Sequence, residues 1–141
     1  MVSSDVLNKA RRYCTYQERS QQELREKLYS LGLFKKDVEE TIAMMVTEGY
    51  LNEERFAIAY AGGKFRIKHW GKNKIKQALK LKKVSDYCIR QALKSISDDD
   101  YLKVLNEQTE LCRKKIKESN TIKKNYKVAQ QLMARGFEAD E

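Results

Sequence analysis

Apolar positions recur at helical spacing along most of this chain. Val6, Leu7, Ala10, Tyr13 and Cys14 line one side of a segment over about residues 5–16, with Lys9, Arg11 and Arg12 on the other. A second helix opens at Ser20. Glu23, three residues on, completes a capping box in which each side chain satisfies an otherwise orphan backbone N–H. Leu24, Leu28 and Leu31 form its stripe, and Gly32 supplies the left-handed stop. Val38, Ile42, Met45 and Val46 mark a third helix that ends at Gly49. Asn52 caps a fourth, with Glu53 and Glu54 at its positive end and Phe56, Ala59 and Tyr60 facing the core. Gly62 and Gly63 weaken its middle, and either permit a close helix crossing or mark a bend.

The pattern continues with helices over about residues 72–82 and 85–96. A long seventh helix carries Tyr101, Leu105, Cys112 and Ile116, and an eighth, over about 122–135, turns Val128, Ala129, Leu132 and Met133 inward before Gly136. Asp98, Asp99 and Asp100 open the seventh, where carboxylates suit the helix dipole better than they suit a metal.

These elements repeat. Leu24, Leu28 and Leu33 match Ile75, Leu79 and Val84, and then Val128, Leu132 and Phe137, at offsets of 51 and 53 residues. Val38 and Ile42 match Ile89 and Leu93 at equal spacing. The pattern predicts an all-α fold: an elongated tandem array of three-helix, helix-turn-helix-like repeats. The units are 1–49, 50–97 and 98–141. None is large enough to bury a core alone, so neighbours must share theirs. The third repeat is incomplete, because only Glu138, Ala139, Asp140 and Glu141 follow Phe137. Either the missing helix is dispensable or the chain stops short of its natural end. The last residues are expected to be the least ordered, and apolar surface near Leu132 and Phe137 to be under-covered.

Composition sharpens this reading. The chain has no proline and six glycines in 141 residues, which favours helices on short connections. A net charge of +9 points to a polyanion or an acidic partner face. From 64 to 83, nine of twenty residues are Lys or Arg and none is acidic. Residues 37–54 are the converse, with Asp37, Glu39, Glu40, Glu48, Glu53 and Glu54 and no basic residue, so an acidic shoulder should lie beside a basic centre. On a helix, Lys72, Lys76, Lys80 and Lys83 fall on one side and predict a continuous cationic ridge, held to the core by Ile75, Ala78 and Leu79. The bland alternative is a solvated face; twenty residues without an acid favour a binding surface. Arg113, Lys114, Lys115, Lys117, Lys123, Lys124 and Lys127 form a second, less pure basic region.

Catalytic readings find little support. His69 is the single histidine, and is expected on the surface of the basic strip with no ligand or nucleophile beside it. The glycines before Lys64 lack the full phosphate-loop motif and its strand. No enzyme activity, cofactor or metal is expected. Trp70 is expected to staple a helix entry rather than stack on a partner. Cys14, Cys88 and Cys112 are too few and too scattered for a disulfide framework, and read as buried thiols of a reduced, cytoplasmic protein. No apolar run approaches membrane-spanning length.

The stretches YLNEERFA at 50–57 and GKNKIKQAL at 71–79 resemble the central signature of the RecX family, bacterial regulators of the RecA recombinase. The recurring three-helix units fit as well, so the resemblance covers nearly the whole chain. It departs from the family's usual pattern at Lys72, where a proline is common. It departs also at Lys83, where a glycine is usual, which weakens the expectation of a left-handed stop there. The shortened third repeat is the largest departure.

The resemblance implies a protein lying along the groove of the RecA–DNA filament, bridging protomers and impeding ATP hydrolysis, strand exchange or filament growth; the chain is expected to act as a monomer. DNA contact, single- or double-stranded and nonspecific, would be secondary. Arg55, Lys64, Arg66, Lys68, Lys72, Lys74, Lys76, Lys80 and Lys83 are the candidate contact residues. Phe56 and Ile75 read as core. The alternative is a sequence-nonspecific DNA-binding protein acting on DNA directly.

Overall fold

Side-chain caps set most of the helix starts. In the computed structural model, which describes residues 2–138, Ser3, Ser20, Asn52, Ser85, Ser97 and Asn120 each accept a hydrogen bond from the backbone of the turn that follows. The helices are α1 (Ser4–Tyr16), α2 (Gln21–Ser30), α3 (Lys35–Thr47), α4 (Glu53–Gly63), α5 (Lys72–Leu81), α6 (Asp86–Lys94), α7 (Asp98–Lys115) and α8 (Thr121–Ala134). No strand occurs among the described residues. At α2 the capping box is complete: the Glu23 N–H donates to Ser20 Oγ at 3.0 Å and the Ser20 N–H to Glu23 Oε1 at 2.9 Å. Gly32, Gly49 and Gly136 stop their helices at φ of 89°, 83° and 98°.

The repeated apolar positions are the core. Leu24, Leu28, Val38, Ile42 and Met45 cluster with Ala10, Cys14 and Leu51 around α1–α3. A second, larger cluster runs from Phe56 to Phe137, so α4–α6 and α7–α8 share one interior. Three rings join them: Phe65 stacks on Tyr101 at 5.8 Å between centroids, and Tyr101 meets Phe137 at 5.6 Å. The α1–α3 cluster meets the rest partly through ion pairs. Arg55 reaches Glu18 at 2.5 Å, and Lys82 reaches Glu23 at 3.8 Å.

Several sequence expectations need correction. Leu31 is 38% exposed because it is the C-cap of α2, where the stripe has already ended. Val46 lies in the last turn of α3, beside rather than on the Val38, Ile42, Met45 line, and is exposed. On α4 the inward residues are Phe56, Ala57 and Ala61, with Tyr60 half-buried and Ala59 exposed. That helix packs closely on α6, and the approach selects alanines. Along α8, Val128 and Leu132 face in while Ala129 and Met133 face solvent.

The surface expected to be under-covered is covered: Phe137 is 1% exposed and Leu132 is buried, because the chain after α8 folds back against α5 and α7. The expectation of poor order at 139–141 lies outside the described residues. At the glycine pair the backbone stays helical through Gly63, then widens into a π-helical turn (Lys64–Lys68) that closes at His69 with φ 57°. Cys14, Cys88 and Cys112 are buried free thiols. No helix among the described residues is long and apolar enough to cross a membrane.

Candidate functional site

Helix α5 is the best-anchored part of the basic stretch. Ile75 and Leu79, four residues apart, are fully buried and hold one side of it to the core. Its N-cap, Gly71, offers no side chain, so the orphan N–H groups of the first turn find partners elsewhere. The Gly71 N–H donates to Arg135 O at 2.8 Å and the Asn73 N–H to Gly136 O at 2.8 Å. The Lys72 N–H donates to Tyr101 Oη at 3.0 Å, and that hydroxyl in turn donates to Glu138 Oε1 at 2.6 Å. The end of α8 therefore caps the start of α5. A proline at 72 could not make the third bond, which gives the departure at this position a physical reason.

The lysines divide into those that are engaged and those that are not. The Lys72 ammonium sits 4.7 Å over the Tyr101 ring. Lys64 and Lys74 bracket Trp70 at 5.1 and 4.7 Å, while the half-buried indole packs against the core. Arg66 folds over Gly62, so closely that a Cβ there would meet Nη1 at 2.7 Å. Lys82 is spent on Glu23 and the Tyr60 ring. Lys68, Lys76, Lys80 and Lys83 are exposed, with no ion pair among the described residues. The expected continuous ridge is thus shorter than the spacing suggested. Lys72 bends onto Tyr101, and Lys83 lies beyond the C-cap at Lys82. Lys83 nevertheless makes the left-handed turn that glycine usually makes, at φ 63°.

Arg55 stands apart in role from the other candidates. Its Nε binds Glu18, and its Nη2 donates to Gly49 O at 2.9 Å and Tyr50 O at 3.4 Å. It ties the α1–α2 loop to the entry of α4. His69 is half-buried rather than on the surface, and its Nδ1 has no hydrogen-bond partner among the described residues. Half of the acidic shoulder is used internally. Glu39 pairs with Arg25 at 2.8 Å, Glu48 with Arg11 at 3.0 Å, and Glu53 accepts the Ser85 N–H. The hydrogen bond from Arg25 pulls the Glu39 carboxyl pKa below its ordinary value and raises that of Arg25. Among the described residues no group of three or more His, Cys, Asp or Glu side chains could hold a metal. Tyr101, the hub of the α5 start, gave no local signal, since its partner lies 29 residues away.

Comparison with known proteins places this architecture. Family models described as the first and second three-helix domains of RecX match residues 7–44 and 52–93. The regulatory protein RecX of Bacillus licheniformis is 29% identical over 132 residues, covering 94% of this chain and 50% of that protein. The regulatory protein RecX of Clostridium perfringens is 29% identical over 126 residues, covering 86% and 58%. The chain spans about half the length of the curated relatives it matches. The crystal structure of RecX from Lactobacillus salivarius superposes with a TM-score of 0.86 at 25% identity, over 97% of this chain and 89% of that one. Both three-helix domains are matched, over more than half the sequence between them, and the chain belongs to the RecX family.

Proposed function

We propose that the protein is a regulator that binds the RecA recombinase filament on DNA and inhibits its ATPase and strand-exchange activities. The observation that carries this reading is the exposed cationic face of α5. Lys76 and Lys80, with Lys83 just beyond, have no carboxylate partner among the described residues, on a helix whose other side is locked in the core. The relatives are named regulatory proteins, and a regulator needs a presented surface rather than a catalytic constellation. The units 1–49, 50–97 and 98–141 would lie in succession along the filament groove, the chain acting as a monomer. Acidic protomer side chains and DNA phosphate are the complementary charges.

The test is RecA ATPase on single-stranded DNA with the Lys76→Glu/Lys80→Glu variant. Both side chains are exposed, so helicity should match the native chain while inhibition is lost. Retained inhibition would remove this face from the mechanism. Lys72 is left out of the variant because it packs on Tyr101. Direct action on DNA predicts instead that bare duplex is bound as tightly as preformed filament, with a log–log salt slope of about −0.9 per phosphate neutralised.

A further inference from the structure

The first unit carries a groove that the α5 face does not involve. It is an open cavity of ≈ 500 Å³ lined by Lys9, Arg12, Tyr13 and Tyr16 from α1, Arg19 from the following loop, and Lys27 with Leu31 from α2. Residues 9, 12, 13 and 16 share one helix face. The four cations of this lining have no ion pair among the described residues, and no carboxylate lines the cavity. Of the two acids on α2, only Glu23 has a cationic partner among the described residues. Glu23 serves the capping box and Lys82, while Glu26 accepts from Gln22 at 3.4 Å.

Aromatic surface is interleaved with this charge. Arg19 lies 3.8 Å over the Tyr13 ring and 5.8 Å from the Tyr16 ring centre, fixed by its Nε–H donating to Tyr13 O at 3.0 Å. The Lys27 ammonium lies 5.7 Å over Tyr13. Tyr16, in the last turn of α1, is 83% exposed. Arg19 and Lys27 thus lie on Tyr13, while the open Tyr16 ring shares the groove with Lys9 and Arg12, which have no ion pair among the described residues.

We infer that this groove binds a single-stranded nucleic acid segment, a base stacking on Tyr16 while Lys9, Arg12 and Lys27 neutralise the flanking phosphates. Sequence-tolerant single-strand sites combine these two features: flat rings that accept any base and a cationic track for the backbone. Duplex would not serve, because its bases are already stacked. An acidic peptide would satisfy the cations but has no general use for an open ring face. The site does not depend on the α5 face or on RecA, so each can fail without the other.

The test measures anisotropy of a short labelled oligothymidylate, with no RecA present, against the native chain and the Tyr16→Ala, Tyr16→Phe and Arg12→Glu variants. Expected are a loss on the order of tenfold for Tyr16→Ala, the scale of one base–aromatic stack, and native-like binding for Tyr16→Phe. Arg12→Glu should weaken binding and reduce the salt slope by about 0.7. An abasic oligonucleotide of equal length should bind the native chain about as poorly as oligothymidylate binds Tyr16→Ala. The Lys76→Glu/Lys80→Glu chain should show the same tenfold response to Tyr16→Ala. The inference is overturned by no binding at low salt, by native-like affinity of Tyr16→Ala, or by equal affinity for the abasic strand. Displacement by an acidic peptide whose own binding requires Tyr16 would assign the groove to a protein segment and equally overturn it.

Discussion

Replacing Gly71 with alanine should unfasten the start of α5, although the backbone there is ordinary. Gly71 has φ −77° and ψ 168°, open to any residue, so conformational freedom is not why glycine is needed. The obstacle is contact. An alanine Cβ would lie 2.3 Å from both Gly136 C and Phe137 N, and 2.5 Å from Gly136 O. All three are backbone atoms, so no side-chain rotation relieves the clash. The segment after α8 must retreat by about 1 Å to reach ordinary van der Waals contact. That stretches the two 2.8 Å bonds from Gly71 and Asn73 beyond useful length.

Each lost bond costs about 0.5–1.5 kcal/mol. Partial exposure of Phe137 adds roughly half of the 1.5–3 kcal/mol that its full burial contributes. The sum is about 2–4 kcal/mol, a large share of a domain's usual 5–15 kcal/mol. Gly63→Ala is the matched control. Its φ of −64° is helical and a Cβ there meets nothing within 4 Å, so the same substitution should stabilise by up to about 1 kcal/mol. Urea unfolding followed by far-UV circular dichroism reads both. With a slope of about 1–3 kcal/mol per molar, the Gly71→Ala midpoint should fall by about 1–2 M while that of Gly63→Ala rises. Equal shifts of one sign, or a Gly71→Ala midpoint indistinguishable from native, would refute the reasoning.

Three further outcomes follow from particular contacts. Lys83→Gly should raise the thermal midpoint by a few degrees, since a left-handed residue with a Cβ costs about 1–2 kcal/mol, partly offset by glycine's freedom in the unfolded chain. A lower midpoint would mean that Lys83 makes a compensating contact. Tyr101→Phe keeps the ring stacks but removes the hydroxyl that accepts from Lys72 and donates to Glu138; it should cost about 1–3 kcal/mol by urea titration. Glu39 has a folded pKa below its unfolded value, so its pairing with Arg25 adds stability above the usual carboxylate range, lost as pH falls through the folded pKa. Glu39→Gln should therefore be less stable than native at neutral pH and lose less on acidification, seen as converging unfolding midpoints.

What could be read from the chain alone was what neighbours in sequence decide. Ser20 and Glu23 form their capping box three residues apart, and Gly32, Gly49 and Gly136 stop helices by their own backbone freedom. The Leu24, Ile75 and Val128 series predicted the buried spine because period alone assigns a face. Arg55 is different. Its position in the signature suggested partner contact, and nothing near it in sequence announced its ion pair with Glu18, 37 residues earlier. Nor does anything near Gly71 announce that the backbone of Gly136 lies against it. Met133 failed for a simpler reason: helical period gives the angle of a residue, not whether another helix covers that angle.

The energetics of α5 bear on whether its charge is incidental. The first turn carries Lys72 and Lys74 at the positive end of the helix dipole with no acid to offset them, at about 0.3–1 kcal/mol each. Lys72, Lys76 and Lys80 repeat at four-residue spacing, which adds a few tenths of a kcal/mol per pair. Lys83 adds left-handed strain of about 1 kcal/mol. A helix can bear this because Ile75 and Leu79 are fully buried, each contributing about 1.5–3 kcal/mol, and because α8 and Tyr101 cap its start. A face that only met solvent would be better served by alternating charges, as on α2, where Glu23, Arg25, Glu26 and Lys27 mix. On α5 every departure from the stable choice adds or keeps a cation. The pattern is consistent with a surface selected to meet a polyanionic or acidic partner, which is why reversal of Lys76 and Lys80 is the decisive substitution.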